Sequence, residues 1–309
     1  MRRNGGMEIQ MKNIEGVILP ILTPIHSDET PNYDQLRRLV DYTVDGGVTA
    51  IFANGTTGEF ARFTYEERCE ILQTVVAQAA GRVPVLAGIS DCGTRLVIRN
   101  AKAAEQAGAD ALVTTIPYYF PTGSHSEQIE FIRSVCEATT LPVLLYNIPS
   151  VVQFSLSDEV LDAVCDIENL YGLKDTSGDE AYLEHIIERY GSKLRVYVGD
   201  ERLCYAGLRS GACGMVPSLA NPFPKILAAA WISAKCGDWS ACKVHTELVN
   251  TVNALNRFSD SWMSPNIWRK EALFQMGIID QYFTHPYNPV GEEDKKKIAD
   301  WIAYYLKNY

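Results

Sequence analysis

The chain has 309 residues, 47% of them hydrophobic and 21% charged, enough for one large domain or two average ones. Its net charge is −10, and an acidic chain without basic blocks argues against nucleic acid and anionic membrane surfaces as partners. No apolar run reaches the length of about 18 residues that a membrane-spanning helix needs.

Met1 to Lys12 lacks the apolar core of a signal peptide, and a flexible tail is expected over residues 1–12. Gly16 to Pro24 is an apolar run ending in a turn. Asn32 to Asp45 reads as a helix, with Asn32 as its cap and Leu36, Leu39, Val40 and Val44 as its apolar stripe. Thr49 to Ala53 is a second strand, followed by Gly55-Thr56-Thr57-Gly58-Glu59. Thr64, with Glu67 three residues on, opens the next helix as a capping box. Val83–Ile89 and Ala111–Ile116 are strands, separated by a helix over Thr94–Ala107. The second of them exits through Pro117-Tyr118-Tyr119. A helix over Ser124–Ala138 precedes the strand Pro142–Asn147, and a short helix over Ser157–Cys165 precedes the apolar stretch that ends at Lys174. Gly178–Tyr190 is helical. Leu194–Val198 and Ala212–Val216 are the last strands, split by a helix over Glu201–Ser210.

Eight strands alternating with helices predict a (β/α)8 TIM barrel over residues 13–236. A doubly wound open sheet would carry a Gly-x-Gly-x-x-Gly turn after its first strand, and Leu22-Thr23-Pro24 stands there instead. Three further helical stretches, Trp239–Arg257, Pro265–Met276 and Glu292–Lys307, predict a C-terminal helical extension over 237–309, packed on the barrel. The run Lys295-Lys296-Lys297 follows Glu292-Glu293-Asp294 and reads as a solvated helix face. The eight cysteines are scattered with no C-x-x-C, which fits reduced thiols in a cytoplasmic protein.

In such a barrel the active site lies at the C-terminal ends of the strands. Those ends hold Thr56-Thr57, Tyr118-Tyr119, Tyr146-Asn147, Lys174-Asp175-Thr176, Gly199-Asp200-Glu201 and Ser218. In the stretch Leu170 to Asp175, strict alternation puts Leu170, Gly172 and Lys174 on one face and Tyr171 and Leu173 on the other. A lysine facing a barrel interior is costly as an ammonium ion. It is either paired, with Asp175 or Asp200 as partner, or it serves as a neutral nucleophile toward a carbonyl. The second choice gives an iminium, which stabilises a carbanion on the neighbouring carbon and so makes or breaks C–C bonds. Tyrosine and threonine hydroxyls nearby supply a proton shuttle. The glycine-flanked Thr56-Thr57 turn can point N–H groups at a carboxylate. The five histidines are dispersed and none ends a strand, so no metal ligand set is expected.

With these motifs in order, the chain resembles the dihydrodipicolinate synthase / N-acetylneuraminate lyase family of pyruvate-dependent class I aldolases. The resemblance rests on Gly55-Thr56-Thr57-Gly58-Glu59, Pro117-Tyr118-Tyr119, Tyr146-Asn147-Ile148-Pro149, Gly172-Leu173-Lys174-Asp175-Thr176 and Gly199-Asp200-Glu201. It implies that Lys174 forms the imine with pyruvate and that no other cofactor is needed. It implies that Tyr146 and Thr56 relay protons, and that Thr56 and Thr57 hold the carboxylate. By the same resemblance Tyr119 matches a tyrosine that reaches into a neighbouring subunit's site, implying a homodimer or homotetramer. Thr176, Gly199, Glu201, Val216 and Ser218 would line the rest of the substrate.

The arginine that follows Tyr-Asn-x-Pro in dihydrodipicolinate synthases is replaced by Val151, and a family glycine by Gln153. That counts against the lysine-pathway synthase, unless Arg202 or Arg62 takes over the contact. Lys174-Asp175-Thr176 with Gly58-Glu59-Phe60 looks more like the members acting on 2-keto-3-deoxy sugar acids, which implies such a substrate, cleaved to pyruvate and an aldehyde. Dehydration of such an acid, N-acetylneuraminate cleavage, a keto-acid-binding barrel without activity and a metal-dependent aldolase are the competing readings.

Overall fold

A computed structural model describes residues 14–120, 123–254 and 264–309. The tail expected over residues 1–12 lies outside the described residues. Eight parallel strands close into a barrel in chain order: β1 (Gly16–Pro20), β2 (Ala50–Ala53), β3 (Val85–Gly88), β4 (Ala111–Thr114), β5 (Val143–Asn147), β6 (Leu170–Asp175), β7 (Arg195–Val198) and β8 (Gly214–Met215). Helices α1 (Tyr33–Asp45), α2 (Tyr65–Ala79), α3 (Thr94–Ala107), α4 (His125–Glu137), α5 (Pro149–Val152), α6 (Asp158–Val164), α7 (Glu180–Tyr190), α8 (Cys204–Ser210) and α9 (Pro224–Lys235) follow the strands. The chain ends in α10 (Trp239–Ala254), α11 (Ser264–Gln275) and α12 (Glu292–Asn308). The fold is the expected (β/α)8 barrel with C-terminal helices.

Local chemistry sets the helix starts. Asn32 accepts a hydrogen bond from the Gln35 N–H, and Thr64 and Glu67 form the reciprocal capping box at α2. The α1 stripe Leu36, Leu39 and Val40 is fully buried, each side chain worth about 1.5–3 kcal/mol in removed apolar surface. Two elements differ from expectation. Ile148-Pro149-Ser150, between the expected strand Pro142–Asn147 and helix Ser157–Cys165, opens the single turn α5, with proline at a first-turn position where its missing N–H has no intrahelical partner to lose. The helix α9 is likewise opened by a proline, Pro224.

The strands separate two cores. One lies between strands and helices and includes Leu170 and Leu173. The other fills the barrel and includes Leu144, Tyr146, Tyr171 and Tyr197. Strict alternation in β6 therefore fails at Leu170 and Tyr171. Val143 pairs with Leu170, but its neighbour Leu144 pairs with Gly172, so Tyr171 is the extra residue of a bulge and turns inward. There its phenol oxygen accepts the Ile14 N–H at 3.1 Å, while the Tyr197 hydroxyl donates to the Ile14 carbonyl at 2.8 Å. The bulge closes the barrel floor and leaves Lys174 in the register that faces the interior.

Candidate active site

Lys174 lies one residue from the end of β6, flanked by Tyr146 on β5 and Tyr197 on β7. Its side chain is buried, with 6% of the residue exposed. The amine stands 3.8 Å from the centroid of the Tyr146 ring and 5.6 Å from that of Phe52 on β2. Two aromatic faces thus stand where a carboxylate counter-ion would otherwise sit. The carboxylates weighed as its partners are engaged elsewhere. Asp175 accepts from the Asn147 side-chain N–H at 2.7 Å and from the Ser177 hydroxyl at 2.8 Å. Asp200 takes both nitrogen arms of Arg202, the closer at 2.6 Å. Burial pushes the Asp175 carboxyl above the ordinary range, against those hydrogen bonds. At Asp200 burial acts the same way, but the Arg202 hydrogen bonds and charge win and hold the carboxyl below that range.

The wall beside the amine is made by Gly199. A Cβ there would fall 2.8 Å from Lys174 Cε and 2.0 Å from Thr176 Oγ1. Any side chain at this position would push into the lysine and Thr176, so glycine here is what lets both pack against the β7 exit. The Thr176 hydroxyl is buried without a hydrogen-bond partner among the described residues, and its backbone N–H donates to the Asn147 carbonyl at 2.9 Å. Val216 is buried inside the barrel.

Thr56 and Thr57 are half-buried in the turn after β2. Their N–H groups donate to no backbone carbonyl among the described residues, the state a bound anion requires. Glu59 closes the turn in the left-handed region at φ 58°. Tyr119 is 71% exposed, edge-on to the equally exposed Phe120, whereas Tyr118 is half-buried against Phe60. Ser218 donates to Glu201 at 2.9 Å, and the same carboxylate accepts the Leu219 N–H at 2.7 Å and an Arg269 nitrogen at 3.1 Å. Glu201, expected along the substrate, thus has both oxygens occupied by the protein.

The C-terminal ends of the strands therefore carry an amine against phenol rings, a turn with unengaged backbone N–H groups, and hydroxyls. The model of the Dihydrodipicolinate synthetase family matches residues 13–304 of this chain. The chain belongs to the dihydrodipicolinate synthetase family. It is 32% identical over 287 residues to the 4-hydroxy-tetrahydrodipicolinate synthase of Aromatoleum aromaticum, covering 92% of this chain and 96% of that one. It is 33% identical over 280 residues to the enzyme of the same name from Azoarcus sp., covering 90% and 94%. Among solved structures it resembles the chloride-inhibited dihydrodipicolinate synthase of Acinetobacter baumannii complexed with pyruvate, with TM-score 0.87, 28% identity, and coverage of 94% and 99%. As a family member the chain is a lyase of the pyruvate-aldolase class.

Beyond the residues singled out from the sequence, the structure adds Phe52 beside the amine and two buried polar residues of α11, Asn266 and Lys270, at the turn after β2. Asn266 donates to the Thr57 carbonyl at 3.1 Å, and Lys270 lies 2.6 Å from Glu59. Charged residues in an exposed-looking helix gave the sequence no signal of burial.

Proposed function

We propose that the protein cleaves or forms a 2-oxo acid through an imine at Lys174, with pyruvate as one partner and a neutral, hydroxylated aldehyde as the other. The observation that carries this reading is the Lys174 amine itself. It is buried, free of a carboxylate partner among the described residues, packed on the Tyr146 ring, and set against the bare backbone of Gly199. The amine attacks the C2 carbonyl and water leaves, giving the iminium. In cleavage the C4 hydroxyl gives up its proton as the C3–C4 bond breaks. The aldehyde departs, and the electron pair rests as an enamine. Protonation at C3 and hydrolysis release pyruvate and the free lysine. Tyr146 and Thr56 are the proposed proton carriers, and the Thr56-Thr57 turn holds the carboxylate. No cofactor beyond the imine enters this scheme.

Charge at the rim supports a neutral second partner. Val151 stands on α5, where a cation would meet a second carboxylate. Arg62 donates to the His285 carbonyl at 2.6 Å and lies over the Tyr287 ring, Arg202 is spent on Asp200, and Arg269 and Lys270 are buried against Glu201 and Glu59. Thr176 and Ser218 offer hydroxyls instead. This favours a 2-keto-3-deoxy sugar acid, cleaved or dehydrated through the same Lys174 iminium, over N-acetylneuraminate. The second reading is condensation of pyruvate with aspartate semialdehyde, favoured by the names of the curated relatives.

Incubation with pyruvate, reduction with borohydride and mass spectrometry test the intermediate; an adduct at any residue other than Lys174, or none, overturns it. A panel of 2-keto-3-deoxygluconate and its epimers, 4-hydroxy-2-oxoglutarate, N-acetylneuraminate, and aspartate semialdehyde with pyruvate then ranks partners. Fastest turnover of the last selects the second reading. The exposed Tyr119 and Phe120 support a homodimer or homotetramer in which Tyr119 completes a neighbouring site. Tyr119→Phe should lower turnover about tenfold or more with unchanged thermal unfolding, and unchanged rates would reduce it to packing. All eight thiols are free, which supports a cytoplasmic setting. Among the described residues no helix is long and apolar enough to cross a membrane.

A further inference from the structure

We propose that α11 is a positioning element of the 2-oxo acid carboxylate site, acting through Lys270 on Glu59 and through Asn266 on Thr57. The inference rests on the imine reading of Lys174, and its test separates the two.

The helix carries three consecutive charged residues, Arg269, Lys270 and Glu271, exposed by only 2%, 1% and 1%. Charged side chains are almost never buried to this degree unless paired. Residues four apart share a helix face, while successive residues point about 100° apart. Asn266 and Lys270 accordingly address one neighbour and Arg269 another. The Lys270 amine lies 2.6 Å from one Glu59 oxygen, and the Thr284 hydroxyl donates to the other at 2.6 Å. Glu59 is the residue directly after Gly58, held at positive φ, where its N–H donates to the Thr56 carbonyl. Asn266 donates to the Thr57 carbonyl. From the other side, the Thr23 hydroxyl donates to the Gly58 carbonyl at 2.8 Å. The carbonyls of Thr57 and Gly58 and the side chain of Glu59 are thus fixed, leaving the Thr56 and Thr57 N–H groups pointed by their surroundings.

Well-packed apolar residues would hold a helix here at least as firmly as a buried ion pair. Charge adds direction: Glu59 has one place to sit in low dielectric, and the strained backbone beneath it follows. Arg269 meets Glu201 and Asn253 and makes no hydrogen bond to the turn among the described residues, so it provides the internal control.

The experiment measures borohydride trapping of the full-length protein against pyruvate concentration, with thermal unfolding followed in parallel. Lys270→Met should raise the half-saturating pyruvate about tenfold or more, with the adduct still at Lys174, while Lys270→Arg should return it to within about threefold of wild type. Because Lys270→Met leaves Glu59 with only the 4.0 Å approach of Arg62 as a charge partner and endangers folding, the double variant Glu59→Gln/Lys270→Met, which removes both charges together, should show the same rise. Arg269→Lys should change half-saturation by less than about twofold. A wild-type adduct with unchanged half-saturation in the Lys270 variants, or an equal rise in Arg269→Lys, overturns the positioning role and leaves the imine intact. No adduct in wild type overturns the imine reading, and this inference with it.

Discussion

The two sides of the barrel mouth are built differently. The turn after β2, Gly55 to Glu59, is held by Thr23 from the chain's start and by Asn266, Lys270 and Thr284 from its end, with two charges buried to do it. The segment after β5, Ile148 to Gln153, is held by its own backbone: Val151 and Val152 donate to the Ile148 carbonyl and Gln153 to that of Pro149. A network of distant buried partners resists change, since any one substitution strands a charge. A single local turn accepts substitution at little cost. The difference teaches where chemistry is shared and where it diverges. In the proposed reaction the braced side would meet the carboxylate common to all 2-oxo acids, and the unbraced side whatever else the substrate carries.

The largest effect should come at the lysine between the two sides. Tyr146→Phe removes the proposed proton carrier but keeps the ring that packs on the amine. Turnover should drop about 100-fold or more, with pyruvate still trapped at Lys174. Loss of the adduct as well would make the hydroxyl part of amine activation. Gly199→Ala tests the same centre by volume. Its methyl would stand closer to the lysine and to Thr176 than atoms tolerate, so turnover should fall at least about tenfold through displaced geometry. A fully active alanine variant would show that the close packing of Cε on Gly199 is not needed for turnover.

Val151→Arg is the substitution that breaks the comparison on its loose side. It puts a cation on α5, where the local turn can accept it, and supplies the charge that a second carboxylate wants. Condensation of pyruvate with aspartate semialdehyde should rise about tenfold, one charge-assisted hydrogen bond's worth, and cleavage of sugar acids should not. No change would show that recognition on this side needs more than one residue.

What the sequence revealed follows the same division. The β/α alternation is local and so was the lysine, a polar residue at the end of an apolar strand. The capping residues Asn32 and Thr64 were legible for the same reason, since each acts on an N–H three residues away. The Glu59–Lys270 pair was hidden because its members lie at opposite ends of the chain and each alone reads as a solvated charge. The bulge at Tyr171 was hidden because it depends on pairing with Val143 and Leu144, which no window on β6 contains. Glu201 was legible as a strand-end carboxylate, but its engagement by Arg269 depends on a helix that packs there only in the folded chain.

The smallest effect sits at the end of α5. Gln153 is exposed, makes no side-chain hydrogen bond among the described residues, and holds φ 69°. A side chain in the left-handed region costs about 1–2 kcal/mol, whereas glycine there costs only its extra unfolded-state freedom, about 0.5–1 kcal/mol. Gln153→Gly should therefore stabilise the protein by about 0.5–1 kcal/mol, read as a higher urea midpoint at unchanged slope. The turnover of the same variant carries the second half of the test. If the left-handed turn merely ends the helix, both residues adopt it and kinetics stay as they are. If Gln153 aims Val151 at the second partner, the more stable variant will show a higher KM for that partner and unaltered pyruvate trapping. Strain retained against stability would then mark this turn as the place where the barrel chooses its aldehyde.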